Sequence, residues 1–121
     1  MLLILEVADL DASARLYREA FGIPLEAGDN GGDDRWIGGA HAELSWREGS
    51  YFHFALSLSK DGTVTTGAQV ALTVEDIAIA HTRAVAAGAE VVHEPRDEPW
   101  GPTSRYRDLH DNVIHFTQHA R

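Results

Sequence analysis

A pattern that recurs about half a chain apart constrains this 121-residue sequence more than any single residue does. Val7 and Asp9 return as Val74 and Asp76 at an offset of 67, and Gly22 returns as Gly88 at an offset of 66. Each copy runs in the same order. An apolar or alternating stretch leads to an aspartate able to cap a helix, an amphipathic segment follows, and a glycine ends it. In the first copy the stretch is Leu2–Val7, Asp9 and Asp11 are both able to cap, and Ser13, Leu16, Tyr17, Ala20 and Phe21 recur at helical spacing. In the second the stretch is Gln69–Val74, Asp76 caps, and Ile77, Ala80, Ala84 and Val85 mark the helix face.

Strand-like segments follow each helix. They fall at about Arg35–Gly38, Ala40–Arg47 and Tyr51–Ser59, then at about Glu90–Glu94, Ser104–Asp108 and Val113–Gln118. Gly31-Gly32, Glu48-Gly49-Ser50, Asp61-Gly62 and Asp111-Asn112 supply turns. The order β-α-β-β-β, twice, predicts an α+β domain over 1–121 built from a module at about 1–60 and another at about 67–121. Two such modules set edge to edge leave a concave sheet groove.

Strand alternation sorts the residues of that sheet. Leu3, Leu5 and Val7 fall on one face, as do Leu44 and Trp46, then Phe52, Phe54, Leu56 and Leu58, then Val70, Leu72 and Val74, then Ile114 and Phe116. The opposite face carries Leu2, Ile4, Glu6, His41, Glu43, Tyr51, His53, Ala55, Ser57, Gln69, Ala71, Thr73, Val113, His115 and Thr117. One face is greasy and belongs under the helices. The other is small or polar, and is expected to line a polar-spotted cavity.

Composition narrows the partners. Acidic residues outnumber basic ones 19 to 10, for a net charge of −9, which disfavours nucleic acid and anionic membranes and suits a cationic ligand. The chain holds no cysteine, so disulfides, thiolate metal sites and a cysteine nucleophile are excluded, and a cytoplasmic setting fits. No apolar run approaches the ~20 residues needed to span a bilayer, and the start MLLILEVADLD lacks the features of a signal peptide. No phosphate-cradling loop, Ser-His-Asp arrangement or H-E-x-x-H occurs.

The repeat, with its V-x-D before each helix, resembles the vicinal oxygen chelate superfamily, which includes glyoxalase I, extradiol dioxygenases and bleomycin-resistance proteins. The stretch Glu98-Pro99-Trp100-Gly101, then Arg107-Asp108, then Asn112-Val113-Ile114-His115-Phe116 is closest to the C-terminal part of the bleomycin-binding members. Their D-P-x-G-N turn reads Asp108-Leu109-His110-Asp111-Asn112 here, and both Asp and Asn tolerate the left-handed conformation it needs. In the metal-dependent members four groove positions hold the ion. The resemblance maps them onto Leu2, Glu43, Gln69 and His115, and only Glu43 and His115 are strong ligands. A catalytic divalent metal typically takes three protein ligands, so no metal, no other cofactor and no catalytic residue is expected. The resemblance implies a non-catalytic protein that sequesters an aromatic, cationic natural-product antibiotic. It also implies a homodimer that exchanges its first strand. The alternative is a metal-dependent lyase, isomerase or dioxygenase of the same superfamily.

The expected ligand-binding residues are Trp100, with Gly101 beside it, and His115, Glu43, Gln69 and His53 on the polar face. Trp36 and Tyr51 flank loops near the groove and join them. Trp100 is read as a stacking plate over the groove mouth, carried on a loop. The segment Glu26–Asp34 reads as a solvated loop, or else as an acidic rim. His81 is read as packed or surface-exposed, His41 as solvated, and His93, His110 and His119 are assigned no role.

Overall fold

The computed structural model describes residues 2–27, 41–44 and 53–118, with Leu2, Ala27, His41, Glu43, Leu44 and His53 described in backbone only. The first half contributes β1 (Leu2–Val7), α1 (Leu10–Glu19), β2 (Leu25–Ala27), β3 (His41–Leu44) and β4 (His53–Leu58). The second contributes β5 (Gln69–Thr73), α2 (Ile77–Ala86), β6 (Glu90–Glu98), β7 (Gly101–Arg107) and β8 (Val113–Thr117). The two sheets have the same permuted order, β1-β4-β3-β2 and β5-β8-β7-β6. In each, the first strand pairs parallel with the last and the other pairs are antiparallel. The fold is α+β, and the sequence repeat is a structural repeat.

The helix signals act as read. Asp9 Oδ1 accepts from the Ala12 backbone N–H at 3.0 Å, and Asp76 Oδ1 from that of Ile79 at 3.1 Å, so of Asp9 and Asp11 it is Asp9 that caps. Gly22 and Gly88 follow the helices with φ of +71° and +89°, a region that glycine enters without steric cost.

Strand phase also holds. Leu5, Val7, Phe54, Leu56, Ile114 and Phe116 are buried, while Glu6, Gln69, Ala71 and Thr73 on the opposite face are exposed. Val70 and Leu72 reach the core but stay half-buried, because β5 is an edge strand. Ala55 and Ser57, expected on the cavity-lining face, are buried, and two apolar residues of the greasy set also depart from expectation. Leu58 is exposed at the end of β4, and Val85 is exposed on the outer face of α2.

The strand boundaries differ in places. Residues Leu25–Ala27 pair with β3, so Glu26 belongs to a strand rather than to the solvated loop or acidic rim read there. The strand expected at Arg35–Gly38, the Gly31-Gly32 turn, and Trp36, Trp46, Tyr51 and Phe52 lie outside the described residues. Strands β6 and β7 extend toward each other until only Pro99 and Trp100 separate them, so Trp100 sits in a tight hairpin turn and not in a loop.

An aromatic chain joins the halves. Tyr17 on α1 lies 5.5 Å from Phe54 and 5.3 Å from Phe21 between ring centroids. Phe21 continues to Tyr106 at 6.1 Å and Phe116 at 6.3 Å, so the end of α1 packs on the second sheet. The Tyr17 hydroxyl also donates to Asp108 Oδ2 at 2.6 Å, far inside the protein. Asp108 and Asn112 are buried beside it. Asp108 Oδ1 accepts from the backbone N–H groups of His110 and Asn112, and Asp108 Oδ2 accepts from Asn112 Nδ2 at 2.9 Å. Asn112 Oδ1 accepts from the Ala68 N–H and its Nδ2 donates to the Thr65 carbonyl, which ties the segment between the modules to this node. Asp111 adopts φ +63° in the same turn, the left-handed conformation expected of it.

These contacts order two substitutions. Tyr17→Phe removes one charge-assisted bond and leaves Asp108 well supplied with donors, so it is expected to cost about 1.5–3 kcal/mol. Asp108→Ala strands the Tyr17 hydroxyl and several donors of the turn, and should cost more than Tyr17→Phe, about 3 kcal/mol or above. Urea unfolding of both variants against the parent checks the order; a Tyr17→Phe loss equal to that of Asp108→Ala would show that the tyrosine bond alone holds the node.

Candidate functional site

Helix α1 covers one face of the first sheet and α2 one face of the second, which leaves the opposite, open faces free of helix, although Ala55, Ser57 and Thr103 on them are buried. On the second sheet the register sets the open-face residues in rows across the strands. One row runs Ala71, His115, Arg105, His93, from β5 through β8 and β7 to β6. The next runs Thr73, Thr117, Thr103, Arg96. On the other side lie Gln69, Val113, Arg107 and Glu90.

His115 and Gln69 meet on this face. His115 Nε2 lies 2.9 Å from Gln69 Oε1, so the ring nitrogen donates and the opposite ring edge is left toward the face. Burial first, then repulsion from Arg105 and His93, holds the His115 imidazole below its ordinary range. It is therefore neutral near pH 7. Glu43 lies on β3 opposite Ala55, and His53 on β4 opposite Leu2; their side chains are outside the description. Trp36 and Tyr51 also lie outside the described residues.

Trp100 is 60% exposed at the tip of the β6–β7 hairpin, a high value for so large an apolar ring. Gly101 next to it is buried and has φ +124°, so it offers the turn a backbone conformation and not a surface. Pro99 precedes the ring, and Glu98 is in a strand, as the residue before a proline prefers.

Arg105 and His93 are the functional candidates that sequence reasoning passed over. His93 reaches the open face only because β6 is irregular, with register shifts on both sides of it. Its Nδ1 lies 2.9 Å from the Glu94 carbonyl and so carries the proton, which leaves Nε2 as a bare acceptor; that atom is buried with no hydrogen-bond partner. His81 is packed, with Nδ1 at 2.6 Å from the Tyr106 hydroxyl, which in turn donates to Ser104 Oγ. Burial raises the Tyr106 phenol above its ordinary range, against the lowering pull of Ser104. His110, assigned no role above, accepts from the Ala8 backbone N–H across the modules.

The donor set does not fit a catalytic divalent ion. The first mapped position, Leu2, is hydrocarbon, and the third and fourth, Gln69 and His115, are bonded to each other. Among the described residues no three carboxylate or imidazole side chains converge. A cavity of about 550 Å³ lies elsewhere, on the helix side, where the end of α1 (Phe21, Gly22, Ile23) faces the start of α2 (Asp76, Ile79, Arg83). Of the open-face residues in these rows it touches only Thr73.

With this geometry in hand, the relatives are informative. Residues 3–116 match the model of the Glyoxalase/Bleomycin resistance protein/Dioxygenase superfamily. The chain belongs to that superfamily. Among solved structures it is similar to TioX from Micromonospora sp. ML1, with 27% identity, TM-score 0.71, and coverage of 99% of this chain and 98% of that one. TnmS3, an antibiotic binding protein from Streptomyces sp. CB03234, shares the fold at TM-score 0.72 and 19% identity over 98% and 93% of the two chains. A glyoxalase-related enzyme from Fulvimarina pelagi does so at TM-score 0.70 and 21% identity, over 97% and 85%. A search of curated protein sequences returned no match.

The His115 environment has a consequence for titration. An imidazole depressed in the fold binds fewer protons than it does unfolded, so stability rises as pH climbs through the ordinary histidine range of about 6.5. Imidazole NMR should show His115 titrating below that value. Arg105→Gln should move it upward without restoring it fully, because burial is the larger cause. A His115 that titrates normally in the parent would contradict the assignment.

Proposed function

We propose that the chain binds and sequesters an aromatic natural-product antibiotic on the open face of its sheets, as a resistance or self-protection protein, and carries out no reaction on it. The observation that carries this reading is Trp100. A large ring left 60% exposed on a tight hairpin, at the end of the strand that bears Thr103 and Arg105, is suited to stack on a planar molecule. Binding of this kind needs apolar area, a stacking plane and a few placed polar groups, and His115 with Gln69 supplies a fixed polar pair. Glu43, His53, Trp36 and Tyr51 are proposed as further contacts.

Two further observations support the reading. TnmS3, of the same fold, is an antibiotic binding protein. The metal positions, as mapped, do not fit an ion, which weighs against the lyase, isomerase and dioxygenase alternative. The net charge of −9 favours the approach of a cationic molecule at long range. Within the described face, Arg105 sets a different local preference. We further propose a cytoplasmic homodimer that exchanges β1, whose Leu3, Leu5 and Val7 would pack equally well under a partner's helix. No described helix is long and apolar enough to cross a membrane.

Trp100→Ala tests the carrying observation. The ring is exposed, so the melting temperature should change little. Stacking is worth about 1–3 kcal/mol per ring, so affinity for a planar antibiotic identified by thermal shift should fall roughly ten- to a hundredfold. Normal folding with unchanged affinity would reject the stacking role. Stoichiometric divalent metal in the purified protein, or a large stabilisation by nickel, manganese, iron or zinc, would favour the enzyme instead.

A further inference from the structure

We propose that Arg105 anchors a carboxylate on the bound aromatic molecule, so that the described half of the site selects an acid within a chain whose net charge is −9. The inference rests on the open face being the binding site. Its basis is the company each arginine keeps. Among the described residues three arginines share this face, and two of them have a described carboxylate neighbour: Arg96 Nε lies 2.8 Å from Glu98 Oε1, and Arg107 Nη1 lies 3.9 Å from Glu90 Oε2. Arg105 is exposed on β7, and its cross-strand partners on both sides are imidazoles, His93 on β6 and His115 on β8.

A carboxylate neighbour offsets the charge of a guanidinium, and an imidazole does not. His115 is held uncharged by burial and by Arg105 itself, so it adds no competing cation to the row. The guanidinium keeps its charge and its planar fork of donors, which match the two oxygens of a carboxylate. Bonds of this kind are roughly twice as strong as neutral ones.

The spacing to Trp100 sets the shape of the molecule. From Gly101, the neighbour of the ring, to Arg105 is four residues of β7, or about 13 Å at ~3.3 Å per residue. Thr103 and Thr117 lie between, opposite each other on the same face. A flat polycycle on Trp100 with its acid at the far end of a short arm suits a backbone separation of this size.

The test uses three fluorescent probes of one skeleton: pyrenebutyrate, its neutral amide, and the cationic pyrenebutylamine. Each is titrated against the parent, Arg105→Gln, Arg105→Lys and Trp100→Ala. The parent should bind the carboxylate about tenfold or more tighter than the amide, with the amine weakest, and the preference should shrink as salt rises. Arg105→Gln should bring carboxylate and amide to within about twofold by weakening the carboxylate alone, and Arg105→Lys should keep part of the preference. Trp100→Ala should weaken all three probes together. If amide or amine binds the parent as tightly as the carboxylate, or Arg105→Gln keeps the preference, the anchor is wrong. Loss of affinity for all probes in Trp100→Ala would in that case leave the groove reading standing. If no probe binds the parent, both readings fall. Arg105 is exposed, and melting temperatures of its variants equal to the parent's exclude misfolding as the cause.

Discussion

The carboxylate of Asp108 is the point on which the two halves turn. It stands at the end of β7 in the second module, yet the Tyr17 hydroxyl that donates to it belongs to α1 of the first. Placing an aspartate among aromatic rings costs free energy unless its lone pairs are filled, and here four donors fill them. The tyrosine is held in turn: burial, and then Asp108, pushes its phenol far above the ordinary range, which keeps the hydroxyl protonated as the donor of this bond. The same turn shapes the β7–β8 hairpin and, through Asn112, holds the segment that links the modules. Without that node the aromatic chain from Phe54 to Phe116 would still be greasy, but the joint between the sheets would lose a buried, directional polar tie.

The placement of the open-face rows follows from this. Strand β8 runs directly out of the Asp108–Asn112 turn, so the turn sets which residue of β8 faces which residue of β7. A slip of one residue would put His115 beneath α2 and Phe116 in the open. The alternation His115 half-exposed, Phe116 buried is thus a product of the turn as much as of the strand pattern. The substitution of Asp111 for a glycine in the turn pattern is tolerated because Asp111 enters the left-handed region at φ +63° without losing the bonds of Asp108.

What could be read from the chain alone was whatever is periodic or local. Two caps, two terminating glycines and the strand phases of β1, β4, β5 and β8 are of that kind, and each rests on a local or periodic pattern. Three features were not legible, for three physical reasons. Leu25–Ala27 is a strand of three residues, too short to show alternation, and it is held by pairing with β3. The Tyr17–Asp108 bond and the Ala8–His110 bond join residues 91 and 102 positions apart, and nothing in either neighbourhood names the partner. His93 lies on the open face because of irregularities in β6 on either side of it; simple alternation from Val91, which pairs with buried Tyr106, would have turned His93 inward. The row that places Arg105 between two imidazoles depends on that irregularity, so it is invisible to any reading by strand period. For Glu43 and His53, alternation supplies the face and register supplies the opposite residue, and there the description ends.

The two polar residues at mapped metal positions also explain each other. A glutamine where a histidine ligand is expected looks like a simple loss of function. Beside His115 it has a positive role, because Gln69 Oε1 accepts from the Nε2–H and so fixes the tautomer and orientation of the ring. With that nitrogen occupied and the ring neutral, His115 becomes a rigid, uncharged edge next to a guanidinium. Charge on this face is then concentrated at Arg105, in mid-strand, away from the carboxylates that accompany Arg96 and Arg107. An ion-binding arrangement needs converging negative or neutral donors around an empty centre. Among the described residues of this face, Arg105 is the guanidinium without a carboxylate neighbour and stands beside an uncharged His115, and the chemical complement of such an arrangement is an anion carried by the ligand.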